Sequence, residues 1–353
     1  MIKVAIVDDS ALIRNILTRI ISHEKDMTVV GAVGDPYAAR ELIRNTNPDV
    51  LTLDIEMPRM DGLAFLEKIM KLRPMPVIMI STLGESGSIA TLRALELGAI
   101  DVVAKPKIDI ERTLDAYAAT LIEKIRAAAT SRPRSLLPQQ IAAPPTGSRN
   151  PALRQHSTEQ ILAIGASTGG TEAIKFVLMG MPPDAPAIVI VQHMPVAFTK
   201  SFAKRLDEVS RMTVKEAEDG DRLLGGHAYV APGDAHMRVV RSGANYLLKL
   251  DNGEEVSGHR PSVDVLFHSV AENVGNHTCG VLLTGMGKDG AMGLKAMHDA
   301  GAWTCAQDEE SSVVFGMPKE AIRLGATDAV LPLAEIPGQL ISHFQGAYQR
   351  TRI

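Results

Sequence analysis

The sequence has only two cysteines, Cys279 and Cys305, and no Cys-x-x-Cys pair. That excludes a disulfide-stapled scaffold and a zinc–thiolate site, and it fits a reducing compartment. No apolar run reaches the ~18–20 residues that a membrane helix needs, so no membrane insertion is expected. The start, Met1 to Ser10, meets Asp8 and Asp9 before any long apolar stretch, unlike a secretion signal, and a cytoplasmic location is expected. Aromatic residues make up 4% and the net charge is −4. Nucleic-acid binders carry basic patches and, for single strands, stacking rings, so no nucleic-acid partner is expected.

What is present is ordinary globular composition, with 45% hydrophobic and 22% charged residues. At ~150 residues per domain, 353 residues make two domains. Charge and proline mark the border. Residues 1–126 are net −2, residues 127–158 net +4, and residues 159–353 net −6. The middle stretch holds Pro133, Pro138, Pro144, Pro145 and Pro151 and no aromatic residue. It cannot bury enough apolar area to offset chain entropy and reads as a linker. The expected domains are therefore 1–126 and 159–347.

Residues 1–126 alternate short β-branched runs (Lys3–Asp8, Thr28–Val33, Val50–Asp54, Val77–Ser81, Val102–Ala104) with helical periodicity such as Leu12, Ile13, Ile16, Leu17, Ile20. Five such units predict a doubly wound, five-stranded parallel sheet. Residues 159–347 alternate likewise, with strands expected at Ile161–Gly165, Ala187–Gln192, Gly280–Thr284, Trp303–Gln307 and Ala329–Leu333. Residues 213–250 read as short strands with glycine turns. The prediction is an α/β fold with a mainly parallel sheet and an antiparallel hairpin insertion.

In open parallel sheets, ligands bind beyond the carboxyl ends of strands. Asp8 and Asp9, Asp54, Ser81 and Lys105 all fall there. Clustered carboxylates suit a hard cation such as Mg²⁺, and the lysine and hydroxyl suit phosphate oxygens. Solvated acids at strand ends are the bland alternative, but five matching positions weigh against it. The pieces Val7-Asp8-Asp9-Ser10, Asp54-Ile55-Glu56-Met57-Pro58 with Asp61-Gly62, Ser81 and Lys105-Pro106 resemble the response-regulator receiver family, whose fold is flavodoxin-like. The resemblance implies that Asp54 is phosphorylated by a sensor histidine kinase. It also implies that Asp8, Asp9, Asp54 and the Glu56 carbonyl hold Mg²⁺, that Lys105 contacts the phosphoryl group and that Ser81 moves to it. Val102 departs from the pattern, which often has an aromatic switch residue there.

In the second domain, Gly165-Ala166-Ser167-Thr168-Gly169-Gly170 puts a serine on a strand-to-helix turn. Gln192-His193-Met194-Pro195 follows the next strand, and Thr284-Gly285-Met286-Gly287-Lys288-Asp289-Gly290 follows a later one. Serine, histidine and aspartate at one edge permit a nucleophile, a base and an orienting carboxylate. The order Ser, His, Asp differs from that of ordinary α/β-hydrolases. Taken singly, His193 could be a packed histidine and Asp289 a cap for Gly290 onward. His227, His236, His259, His268, His277 and His298 also compete for the base role. A phosphate loop is disfavoured because Gly165–Gly170 lacks its lysine.

These strings, with His259-Arg260-Pro261-Ser262-Val263-Asp264, resemble the receiver-fused chemotaxis receptor methylesterases, the protein-glutamate methylesterases. The resemblance implies Ser167 as nucleophile, His193 as general acid/base and Asp289 as its orienting partner. Thr168 and Met286 would line the site, with the Met286 N–H as oxyanion donor, and the ester chemistry would need no cofactor. The implied substrates are glutamate γ-methyl esters, and glutamine amides, on cytoplasmic helices of chemoreceptors. His259 to Asp264 receive no role beyond a turn and helix start. Fusion of the two sites leads to the expectation that the unphosphorylated receiver blocks the Ser167 rim and that phosphorylation relieves the block. The main rival, a receiver with a DNA-binding output, conflicts with the net −6 of residues 159–353.

Overall fold

The computed structural model describes residues 1–57, 60–82, 85–105, 111–131 and 160–350. Pro58, Pro106 and residues 132–158 of the expected linker lie outside the described residues. The chain divides into two compact units, Met1–Leu137 and Pro138–Ile353.

The first unit runs β1 (Ile2–Val7), α1 (Ala11–Ser22), β2 (Met27–Val33), α2 (Pro36–Thr46), β3 (Val50–Asp54), α3 (Gly62–Leu72), β4 (Val77–Ser81), α4 (Glu85–Glu96), β5 (Asp101–Ala104) and α5 (Glu111–Thr130). Its five strands form one parallel sheet in the order β2-β1-β3-β4-β5. β3 and β4 are buried throughout, as strands covered by helices on both faces must be. Each fully buried Leu or Ile in them contributes about 1.5–3 kcal/mol of transfer free energy.

Side-chain caps set where helices begin, and so where strand-end loops must stop. Ser10 accepts from Ile13 N at 3.4 Å, Asp35 from Tyr37 N and Ala38 N at 2.9 and 3.0 Å, and Asp61 from Ala64 N at 2.8 Å. Pro36 occupies the first helical position, where its missing N–H costs nothing. One boundary differs from expectation. α5 continues to Thr130, four residues into the expected linker. Ala127 and Ala128 are buried, and alanine's high helix propensity extends the helix as far as they can pack.

The second unit runs β6 (Ile161–Ala166), α6 (Gly170–Gly180), β7 (Ala187–Gln192), α7 (Val196–Val209), β8 (Thr213–Glu216), β9 (His227–Val230), β10 (His236–Ser242), β11 (Asn245–Asp251), α8 (Val263–Asn273), β12 (Thr278–Leu282), α9 (Ala291–Asp299), β13 (Trp303–Gln307), α10 (Met317–Arg323), β14 (Ala329–Leu331) and α11 (Ile336–Arg350). Seven strands form a parallel sheet in the order β14-β13-β12-β6-β7-β9-β8. β10 and β11 make a separate antiparallel hairpin.

The insertion is therefore only partly the expected set of hairpins, because β8 and β9 are parallel members of the main sheet. Parallel neighbours need a crossover. Here residues 217–226 supply it by lying against β11: Gly220 N donates to Leu248 O, Leu248 N to Asp221 O, and Leu223 N to Tyr246 O, all at 2.8–3.0 Å. A pattern of glycine turns cannot distinguish that from a tight hairpin. The strand expected over Gly280–Thr284 is seen at Thr278–Leu282. Past its end, Leu283 N still donates to Gly165 O at 2.9 Å, so the chain leaves the sheet beside β6.

Candidate active site

In the first unit, Asp8 and Asp9 follow β1, Asp54 and Ser81 end β3 and β4, and Lys105 follows β5. The carboxylates of Asp8, Asp9 and Asp54 offer oxygens that all lie within 4.8 Å of one another. Lys105 Nζ donates to Asp54 Oδ2 at 2.7 Å and is 3.5 Å from Asp8 Oδ2. Asp8 Oδ1 accepts from Ser10 N at 2.9 Å, but the buried Asp8 Oδ2 has no hydrogen-bond partner among the described residues. Burial pushes the Asp54 carboxyl up to about 6; Lys105 opposes this and the Asp8 charge adds to it. Burial likewise raises Asp8 against the pull of Lys105. Burial works against the Lys105 ammonium, yet its bond to Asp54 and the surrounding carboxylates hold it above its ordinary value. Three carboxylates share one ammonium, with an orphaned oxygen among them, and such a set of hard oxygens fits a divalent cation.

The other expected members surround this cluster. Glu56 N donates to Asp54 Oδ1 at 3.3 Å, and its side chain accepts from Thr82 Oγ1 at 3.4 Å. Ser81 Oγ is buried and accepts from Thr91 Oγ1 at 3.0 Å, while Ser81 O accepts from Lys105 N at 2.7 Å. Val102, at the position of the family's aromatic switch, is buried in β5. Arg14 went unnoticed in the sequence. Its guanidinium donates to Asp8 O at 2.7 Å and Asp9 O at 2.9 Å, which fixes the loop bearing both acids. Gly62 is required as well, since a Cβ there would run into Asp54 O.

In the second unit, Asp289, Ser167 and His193 follow β12, β6 and β7, three adjacent strands of the parallel sheet. They meet at its carboxyl edge. Ser167 N donates to Thr284 O at 3.0 Å, and Ser167 O accepts from Gly170 N at 2.7 Å and Gln192 Nε2 at 2.8 Å. Gln192 Nε2 also donates to His193 O at 3.2 Å, tying the serine and histidine backbones together.

His193 Nε2 is 2.8 Å from Asp289 Oδ2. The imidazole thus meets its carboxylate through Nε2, and the buried Nδ1 has no hydrogen-bond partner among the described residues. No hydrogen bond joins Ser167 Oγ to His193 among the described residues. Asp289 and His193 are joined directly, and Ser167 is joined to them through its backbone.

Asp289 does not cap its own helix. α9 starts after Gly290 without a side-chain cap, and the carboxylate turns to the start of α8 instead. Ser262 Oγ donates to Oδ1 at 2.7 Å, Val263 N to Oδ2 at 2.7 Å, and Asp264 N to Oδ1 at 3.1 Å. Burial works against the anion, but His193, Ser262 and Val263 together hold the Asp289 carboxyl down to about 2. Next to it, Asp264 accepts from Gly293 N at 2.7 Å. Burial pushes the Asp264 carboxyl up to about 6, the Gly293 amide opposes and the Asp289 charge adds.

Gly285 abuts Ser167; a Cβ on it would collide with Met317 Sδ and lie 2.9 Å from Ser167 Cβ. Met286 is the next residue in the chain, and its N–H makes no hydrogen bond among the described residues. Thr168 is buried, with its carbonyl 3.0 Å from Thr284 Oγ1. Of the competing histidines, His259 alone stacks on His193, with ring centroids 3.7 Å apart and planes at 15°. The segment His259–Asp264 therefore serves both members of the His–Asp pair. Its string was visible in the sequence, but nothing local marks a helix start as the holder of a carboxylate 25 residues later.

A parallel sheet with an acidic, lysine-bearing rim and a second one with a serine beside a His–Asp pair define a receiver-linked hydrolase. The family model for the response regulator receiver domain matches residues 4–117, and that for the CheB methylesterase matches residues 162–340. A protein-glutamate methylesterase/protein-glutamine glutaminase of Nitrosomonas europaea is 58% identical over 98% of this chain and 97% of that relative. One from Salmonella typhimurium is 56% identical over 97% of this chain and 96% of its own length. The crystal structure of the Thermotoga maritima CheB methylesterase catalytic domain is 43% identical and covers 52% of this chain and 97% of that one, with a TM-score of 0.51. The chain belongs to the CheB methylesterase family and carries a receiver domain in front of the enzyme. No described helix is long and apolar enough to cross a membrane.

Proposed function

We propose that Ser167, His193 and Asp289 hydrolyse glutamate γ-methyl esters on the cytoplasmic helices of chemoreceptors. The 2.8 Å contact of His193 Nε2 with the saturated Asp289 carboxylate carries this reading. With Nε2 committed to Asp289, Nδ1 is the nitrogen that takes the Ser167 proton as Oγ attacks the ester carbonyl. The oxyanion is met by the Met286 N–H, with Thr168 lining the pocket; one such donor contributes about 3–4 kcal/mol. Nδ1–H then protonates departing methanol. Water attacks the acyl-enzyme, gives its proton to Nδ1, and Ser167 Oγ leaves with that proton, releasing glutamate. A glutamine amide reacts likewise, with ammonia leaving.

Asp54 is the proposed phosphoryl acceptor, with a sensor histidine kinase as donor. Asp8, Asp9, Asp54 and the Glu56 carbonyl would hold Mg²⁺, which neutralises phosphoryl charge when bound. Lys105 pairs with phosphoryl oxygens and Ser81 offers its hydroxyl. The proposed functional division is a receiver that ends with α5 at Thr130, a linker after it and an esterase at 159–347, acting in the cytoplasm. Phosphorylation raises esterase activity, so removal of residues 1–126 should raise basal turnover.

The test is methanol release from carboxyl-methylated chemoreceptor, with and without a small phosphoryl donor and Mg²⁺. Release should rise with the donor and vanish in Ser167→Ala. Undiminished release by Ser167→Ala would refute the triad. A truncated protein no faster than the unphosphorylated parent would refute the gating.

A further inference from the structure

A strand that leaves its sheet loses its ladder partners, and a buried amide must then find another acceptor. The β12–β13 ladder ends at the pair Leu282–Ala306, two residues before Thr284. Thr284 is buried, and its N–H is satisfied by a side chain: it donates to Gln307 Oε1 at 2.8 Å. Gln307 is the fully buried last residue of β13, and its amide can face only one way. Its Nε2 is 3.2 Å from Ser311 Oγ, and that hydroxyl gives its single proton to Asp308 Oδ1 at 2.6 Å, so toward Gln307 it can only accept. Thr284 passes the constraint on. Its carbonyl accepts from Ser167 N at 3.0 Å, and its hydroxyl is 3.0 Å from Thr168 O and accepts from Val314 N at 2.9 Å. Met286 follows two residues later, after Gly285, whose carbonyl accepts from Gly316 N at 3.0 Å and Met317 N at 2.9 Å.

We infer that Gln307 is a positioning residue for the ester hydrolysis. Its oriented amide fixes Thr284, and Thr284 holds both the backbone at Ser167 and Thr168 and the start of the loop that carries Met286. The spacing between nucleophile and oxyanion donor is thus set from a neighbouring strand that supplies neither. The inference rests on the proposed roles of Ser167 and the Met286 N–H. Misplacing a reacting group by about 1 Å can cost on the order of 10²-fold in rate, so a lost restraint on this spacing appears in kcat rather than in substrate binding.

The experiment uses the full chain with carboxyl-methylated chemoreceptor as substrate. It compares Gln307→Leu, which keeps bulk but offers no acceptor, with Gln307→Glu, which keeps an acceptor for Thr284 N. Thr304→Val is the control for stability alone: it removes a buried hydroxyl of the same strand that is 3.1 Å from Asp328 Oδ2. Gln307→Leu should lower kcat at least tenfold with KM within twofold, Gln307→Glu should recover most of that loss, and Thr304→Val should keep kcat within twofold. Ser311→Ala leaves Gln307 in place but removes what orients it, and should lower kcat about threefold at unchanged KM. Full kcat in Gln307→Leu overturns the inference, and so does an equal loss in Gln307→Glu or in Thr304→Val. Should Gln307→Leu not fold, Ser311→Ala decides, and full kcat there overturns the inference. Ser167→Ala separates the two levels: if it is inactive while Gln307→Leu is fully active, only the positioning role fails. If Ser167→Ala itself is active, the reading of the triad fails.

Discussion

The two sites occupy the same address in two parallel sheets and treat a buried aspartate in opposite ways. Asp54 receives one lysine and one long backbone contact, lies near two other carboxylates, and is pushed up to about 6 mainly by burial. Asp289 receives a hydroxyl, two amides and an imidazole, and is held down to about 2. The first cluster is short of positive partners, which suits the proposed cation and incoming phosphoryl group. The second is already complete and acts by holding an imidazole. Strand-end position selects where chemistry occurs, and the number of donors decides which chemistry it is.

The largest expected effect separates the sites outright. Ser167→Ala should lower ester hydrolysis by roughly 10³-fold or more while Asp54 still accumulates phosphate from a small donor. A chelator should do the reverse, abolishing phosphorylation and leaving the basal ester hydrolysis of the parent intact. Parallel assays of methanol release and phosphoprotein check both, and a chelator that stopped basal hydrolysis would erase the distinction between a completed and an uncompleted cluster.

Next comes the saturated carboxylate itself. Asp289→Asn should cut kcat by about 10³–10⁴-fold, because an amide cannot hold the imidazole in one tautomer or stabilise imidazolium. It should also lower stability at neutral pH. The folded pKa lies below the unfolded value, so this contribution is fully present above about 4 and fades as pH falls toward 2. Denaturation at pH 7 and at pH 3 should therefore show the parent's advantage shrinking with acid. Gly285→Ala is expected to cost about 10²-fold in kcat, because the added methyl meets Met317 Sδ and Ser167 Cβ and displaces the serine.

The strand-end residues were legible because each is flagged by its own neighbours. β-branched runs end at Asp54, Ser81 and Gln192, and small residues surround Ser167. What supports them was not legible, since Arg14, Gln192 and Ser262 act on backbones or carboxylates that are distant in sequence or read locally as turns and caps. Ser262 does cap α8, accepting from Val265 N at 3.4 Å, so the local account was correct but left out its bond to Asp289. The parallel pairing of β8 and β9 was hidden for a similar reason, because the crossover is held by β11, which comes later in the chain. Periodicity reports the face an element buries, not the partner it meets.

The smallest expected effect lies beside the saturated site. Asp264 is buried against Asp289 and is raised to about 6, so the same α8 turn that stabilises one anion disfavours its neighbour. A folded pKa above the unfolded value means stability that is full below about 4 and lost as pH rises through 6, by on the order of 2 kcal/mol. Asp264→Asn keeps an acceptor for Gly293 N and cannot ionise. It should therefore flatten the decline in stability between pH 5 and 7, with a much smaller effect on kcat than Asp289→Asn. Trp303, the one tryptophan in the chain, lies in β13, so its fluorescence during urea unfolding reports this unit. An unchanged slope in the variant would mean that Asp264 stays charged beside Asp289, and the donor count around each aspartate would then no longer explain how the two differ.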